Sequence, residues 1–148
     1  MYTDPVGCLT QAIDNSRLNQ TLNTPALTTL LLMESQLEWM MSLGGLTPAA
    51  EHCTTSSSLL YDWADSRSDV TPFVADPDHR SRVVVTLDLD EAIDATAVTG
   101  ALRANGVVDT EPYRKLGRNQ IRVATFVGVP TSDVELLIAS LDYVLENL

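Results

Sequence analysis

Thr24-Pro25 opens the longest apolar stretch of the chain and Gly44-Gly45 closes it. Proline suits the first turn of a helix, where its missing N–H has no partner to lose, and glycine supplies the positive φ of a helix C-terminus. The spacing therefore predicts a helix over 25–43. Its first half is apolar nearly all round, with Ala26, Leu27, Leu30, Leu31, Leu32 and Met33, so it is expected to need cover on several sides. Thr47-Pro48 repeats the opening signal and predicts a second helix to about Asp65. Its inward stripe is built of small side chains: Ala50, Cys53, Ser57, Leu60 and Ala64. Residues 1–24 are polar and without period, and are expected to be irregular.

Beyond Asp65 the period changes. Pro72 and Pro77-Asp78 mark a short extended piece and a turn. Val83, Val85, Leu87 and Leu89 alternate with Val84, Thr86 and Asp88, the period of a strand. Asp90 is expected to cap a helix that ends at Asn105-Gly106, and Val107-Val108 to begin another strand. Ile121, Val123, Thr125 and Val127 form one face of a further strand, with Arg122, Ala124 and Phe126 on the other. A closing helix opens at Ser132 or Asp133 and carries Val134, Leu137, Ile138, Leu141, Val144 and Leu148 on one stripe. Two long helices followed by β-β-α-β-β-α predict an α+β fold, a small mixed or antiparallel sheet covered by helices on one face. The expected divisions fall at 1–24, 25–66 and 67–148.

At 148 residues, with 45% hydrophobic and 20% charged positions, the chain can build a core without staples. A formal charge of −11 disfavours nucleic-acid and membrane-surface partners. No apolar run approaches the roughly 20 residues of a membrane span, and Met1-Tyr-Thr-Asp-Pro lacks the basic and apolar regions of a signal peptide. Together with only two cysteines, Cys8 and Cys53, this leads us to expect a soluble cytoplasmic protein.

The positive charge is where chemistry is expected. Four of the nine basic residues, Arg114, Lys115, Arg118 and Arg122, fall between positions 114 and 122 with no acid among them. A cationic island in an acidic chain draws small anions, and guanidinium groups grip carboxylate or phosphate with two prongs. The bland alternative is a solvated loop paired with Glu111, Asp109 or acidic helices. His52 and His79 have no ligand-type spacing, so no metal site is expected. Asp88, Asp90 and Glu91 lack the glycine and regular spacing of a calcium loop. No nucleophile motif or glycine-rich phosphate loop occurs. The residues alone describe an anion-binding α+β module.

Several strings are more specific. Asp14-Asn-Ser-Arg-Leu-Asn-Gln-Thr-Leu-Asn-Thr-Pro25, Leu37-Glu-Trp-Met-Met-Ser-Leu-Gly-Gly45 and Ser81-Arg-Val-Val-Val-Thr86 resemble the phosphoserine aminotransferases. So does Leu102-Arg-Ala-Asn-Gly-Val-Val-Asp-Thr-Glu-Pro-Tyr-Arg-Lys-Leu-Gly-Arg-Asn-Gln-Ile-Arg122, together with the closing helix. The likeness spans about Ile13 to Leu148 and is strongest to the actinobacterial branch.

The resemblance implies the C-terminal small domain of a fold-type-I, pyridoxal-phosphate (PLP) enzyme, preceded by two long helices. Such enzymes are homodimers that move an amino group from glutamate to 3-phosphohydroxypyruvate, giving O-phosphoserine in serine biosynthesis. It further implies that the Schiff-base lysine and the acid holding the cofactor ring lie upstream, so that this chain alone is inactive. Asn23 and Thr24 match the pair that reaches the cofactor phosphate of the neighbouring subunit. Arg122 matches the arginine that grips the substrate α-carboxylate, and Arg114 the one that meets the substrate phosphate. Better-known members have His-Arg where this chain has Tyr113-Arg114, so the resemblance does not fix which of Tyr113, Arg114, Lys115 and Arg118 contact the phosphate. A stand-alone anion-sensing α+β domain is the competing expectation.

Overall fold

The structure, a computed structural model, describes residues 5–148 and resolves into two compact units, Met1–Ser42 and Leu43–Leu148. The first unit holds α1 (Pro5–Arg17) and α2 (Leu27–Ser42). Helix α1 corrects the expectation of an irregular lead-in over 1–24; residues 1–4 of that stretch, and with them the signal-peptide reading, lie outside the described residues. Helix α2 starts two residues after Pro25, with Leu30 N donating to Ala26 O at 3.0 Å, so Thr24 is not its cap. Helix α2, which its all-round apolar surface leads one to expect covered on several sides, has no buried residue here. Among the described residues no helix is long and apolar enough to cross a membrane.

The second unit is a three-stranded antiparallel sheet with helices against one face. Its elements are α3 (Leu46–Asp65), β1 (Val70–Pro72), β2 (Val84–Leu89), α4 (Ala95–Ala104), β3 (Gln120–Ala124) and α5 (Thr131–Asn147). The strands lie in the order β1-β2-β3. Gly44 and Gly45 both hold positive φ at the entrance to α3, and a Cβ on Gly44 would stand 2.8 Å from Pro48 Cγ, so that position admits no side chain without rearrangement.

Strand period decides the two faces of the sheet. Val85, Leu87, Leu89, Ile121 and Val123 are buried with Leu60, Trp63, Val98, Leu102, Val134 and Leu141 from the helices. The other parity, Val84, Thr86, Asp88, Arg122 and Ala124, is only partly covered. Helix α3 turns Ala49 inward with Cys53, Ser57, Leu60 and Ala64, whereas the expected Ala50 is exposed. At the far end of α3, Trp63 Nε1 donates to Asp142 at 2.8 Å, and Arg67 bridges Asp142 and Asp69, which ties α3 to α5 and to the start of β1.

Three boundaries move for local reasons. Asp90 accepts from Ala92 N inside a turn, so α4 starts later, capped by Asp94, whose carboxylate accepts from Thr96 N at 2.8 Å. Val107 spends its N–H on Leu102 O, closing the end of α4, and Asp109 takes a φ of 63°; the expected strand at Val107-Val108 is therefore absent. What remains of that pairing is one bond, Arg122 N to Thr110 O at 3.0 Å. Helix α5 starts at Thr131 rather than Ser132 or Asp133, with the Thr131 hydroxyl bonded across to Ser56 at 2.9 Å.

Asn119 locks the junction before β3. Its Oδ1 accepts from Ala95 N, and its Nδ2 reaches the carbonyls of Leu89, Asp90 and Ile93 at 2.7–3.2 Å. Asn119→Ala strands these backbone groups together, three of the four bonds being part-buried, and is expected to cost about 1–3 kcal/mol, read as a lower urea midpoint.

Candidate functional site

The partly covered face of the sheet gathers the cationic island. Thr86 pairs with Arg122, and Asp88 with Gln120 on one side and Thr71 on the other. Phe73 N donates to Thr86 O at 3.0 Å, so Phe73 continues β1 and stands in the Thr86–Arg122 row. Side chains alternate along strands, so Phe73, Thr86, Asp88, Gln120 and Arg122 share this face.

The loop between α4 and β3 folds over it. Leu116 N donates to Tyr113 O at 2.9 Å, making a turn with Arg114 and Lys115 at its exposed tip, and Gly117 takes the positive φ that returns the chain. Tyr113 sits against Arg122, whose guanidinium carbon is 5.9 Å from the ring centroid. Arg118 lies over Phe73 at 5.1 Å and bonds Asp88 through both prongs, at 2.8 and 3.2 Å. Those hydrogen bonds, donated to the Asp88 carboxylate, hold the Arg118 guanidinium above its already high ordinary pKa. Gln120, buried, donates to Asp88 Oδ1 at 2.7 Å.

The four cations thus divide. Arg118 is engaged. Glu111 and Asp109, the loop acids that could have neutralised the rest, are both taken by Arg103, at 2.7 and 3.5 Å. The ion pairs among the described residues include none of Arg114, Lys115 and Arg122. The geometry offers a half-buried guanidinium on a rigid strand and a second cationic group on an exposed turn, suited to an anion with two charged ends. A separate cavity of about 560 Å³ between α4 and α5 has no charged side chain in its lining, with Leu102, Val107, Leu136 and Tyr143 among its walls.

Asn23 and Thr24 lie in the first unit, on the exposed connection between α1 and α2. Tyr113, Arg114 and Arg122 lie together in the second. Sequence reasoning missed Phe73, Asp88, Asn119 and Gln120. The signal for Asp88 was available: it occupies the same strand parity as Thr86, on the face opposite Leu87. For Phe73 and Asn119 no sequence signal pointed to the site.

Solved structures share this fold within aminotransferases. Phosphoserine aminotransferase from Bacillus circulans matches 90% of the chain at a TM-score of 0.79 and 24% identity, with 36% of its own length covered. The PLP-bound phosphoserine aminotransferase from Trichomonas vaginalis matches 96% at a TM-score of 0.78 and 16% identity, with 39% of its length covered. At these identities the likeness establishes the α+β fold alone. Curated sequences carry the relation further. The phosphoserine aminotransferase of a Nocardioides species is 54% identical over 140 residues, 95% of this chain, and that of Corynebacterium glutamicum is 51% identical over 139 residues, 94% of it. The chain spans about 37% of the length of these relatives. No family model matches it. This chain is a homologue of the C-terminal part of the phosphoserine aminotransferases.

Proposed function

We propose that the chain works as the C-terminal part of a PLP-dependent phosphoserine aminotransferase, a cytoplasmic homodimer that moves an amino group between glutamate and 3-phosphohydroxypyruvate. The observation that carries this reading is the pair of uncompensated arginines, Arg122 and Arg114, in a chain of net charge −11. In this reading Arg122 grips the α-carboxylate common to both substrates. Arg114, with Tyr113 beside it, meets the phosphate end. Asn23 and Thr24 offer an amide and a hydroxyl to the cofactor phosphate of the neighbouring subunit.

PLP supplies an electron sink for the amino transfer, and needs an imine-forming lysine and an acid on its ring nitrogen. The only lysine, Lys115, stands on an exposed turn, so the residues present do not make a complete cofactor site. Imine formation and the contact to the ring nitrogen therefore fall to residues outside this chain, and the uncovered α2 supports a role inside a larger assembly. Accordingly, the isolated chain is expected to form no imine with PLP. Borohydride treatment followed by mass spectrometry checks this, and a reduced adduct on Lys115 would contradict it.

The test of the activity is a graft. The chain replaces the matching segment of the Corynebacterium glutamicum enzyme, and the product is assayed for O-phosphoserine formed from glutamate and 3-phosphohydroxypyruvate. Transfer supports the reading; a folded, dimeric, PLP-loaded graft without transfer refutes it. The second unit has a core of its own, which favours one other reading, a self-sufficient anion-binding domain. That reading requires the isolated chain to bind a phosphorylated carboxylate tightly while the graft stays inactive.

A further inference from the structure

We infer that Arg118 is a positioning residue: it holds the Asp88 carboxylate away from Arg122 and so keeps Arg122 open to a carboxylate ligand. The inference deepens the function proposed above, resting on Arg122 as the group that grips a carboxylate.

Arg122 lies opposite Thr86 and Asp88 lies opposite Gln120, so Asp88 and Arg122 are diagonal neighbours on one face of the β2–β3 pair. Such neighbours stand about 7–8 Å apart, within reach of a long side chain. An aspartate left alone there is the natural partner of Arg122, and a resident carboxylate would compete with any carboxylate arriving from solution. Asp88 is not left alone. Arg118 Nε donates to Oδ1 at 3.2 Å and Arg118 Nη2 to Oδ2 at 2.8 Å. Gln120 Nε2 adds a third bond to Oδ1 at 2.7 Å, and Gln120 is only 1% exposed, so this donor is fixed. The Arg118 guanidinium carbon also sits over the Phe73 ring, 5.1 Å from its centroid, a second contact that restrains its fork. Arg122 turns instead to the ring of Tyr113, a contact that leaves its N–H donors available to an anion.

Two roles for Arg118 make opposite predictions. As one more anion contact, Arg118 would gain from removal of Asp88 and be missed when it is itself removed, whatever stands at position 88. As the restraint on Asp88, its loss should matter only while Asp88 is charged. The divided geometry favours the second role, because both prongs of the Arg118 fork are already committed to Asp88.

The test is a titration of the 148-residue chain with sodium acetate, followed by NMR at the arginine Nε–Hε groups. Acetate needs neither cofactor nor turnover, so the result is independent of whether the graft catalyses amino transfer. In the unaltered chain the Arg122 signal is expected to move saturably. R118Q is expected to weaken that affinity about three- to fivefold, the scale of a partly exposed ion pair. R118Q combined with D88N is expected to restore it, since asparagine keeps an acceptor for Gln120 but carries no charge. R118A, which cannot replace the lost hydrogen bonds, must give the same order as R118Q, with unchanged backbone spectra showing that the fold is intact. The inference is overturned if Arg122 shows no saturable response, if removing Arg118 leaves its affinity unaltered, or if the double substitution remains as weak as R118Q alone.

Discussion

Arg122→Ala in the grafted enzyme is expected to lower kcat/KM in both half-reactions, because each substrate presents a carboxylate to the same guanidinium. Arg122 is mounted on a strand hydrogen-bonded on both edges, to β2 and through its own N–H to Thr110 O. A fork held this way loses little freedom on binding, so its removal forfeits most of a charge-assisted contact. That contact is worth about 1.5–3 kcal/mol, or roughly ten- to hundredfold in kcat/KM. Arg114→Ala should behave differently. Arg114 sits at the exposed tip of the Tyr113–Leu116 turn and carries no ion pair among the described residues, so it can meet a second, more distant anion. Its loss should fall mainly on the phosphorylated substrate and spare glutamate. Single-turnover kinetics of the two half-reactions separate these outcomes. If Arg122→Ala leaves the glutamate half-reaction untouched, the carboxylate assignment fails.

Leu87→Ala is expected to be the most damaging single change to the second unit. Leu87 lies in the middle strand, is 0% exposed, and pairs with Pro72 on one side and Ile121 on the other. Its side chain points into the cluster formed with Leu60, Val98, Leu102 and Leu141. Neighbours anchored in three helices and two strands cannot collapse fully into the space, so truncation carries both a transfer and a cavity cost, about 2–5 kcal/mol. Urea unfolding followed through the buried Trp63 measures it. Leu31→Ala is the control. Leu31 is 64% exposed on α2, and the same truncation there should change stability by less than about 0.5 kcal/mol. Equal losses at the two positions would mean that α2 has cover in solution.

How far the site could be foreseen differs from residue to residue. The alternation from Val84 to Leu89 and from Ile121 to Ala124 placed the sheet faces correctly, since a strand sends successive side chains to opposite sides whatever surrounds it; Val83, just outside the strand, is exposed instead of inward. That rule alone put Arg122 on the face away from the core. Clustering of Arg114, Lys115, Arg118 and Arg122 was equally plain in the chain. Which of them stays free was not, because the answer depends on Asp88 and Phe73, some 30 and 45 positions away from Arg118. In the first unit, polarity without period hid the helix α1, and Thr24-Pro25 looked like a cap although the first turn forms two residues later.

The chain by itself therefore determined the α+β class, the order of the long elements from α2 onward, the inward faces of β2 and β3, that of α5 except for Leu148, which is exposed, and the place where positive charge gathers. These follow from local period, caps and counts of charge, all of which act over a few neighbouring residues. Only the tertiary structure decided that the sheet has three strands rather than four, that Asn119 clamps the start of β3, and that Arg118 is spent on Asp88 while Arg122 is not. The reason is physical. Each of these outcomes is a competition for one donor or one carboxylate between groups far apart in sequence: Val107 N–H, the Asn119 amide, the Asp88 oxygens. Such contests are settled by which partners the packed sheet brings within about 3 Å.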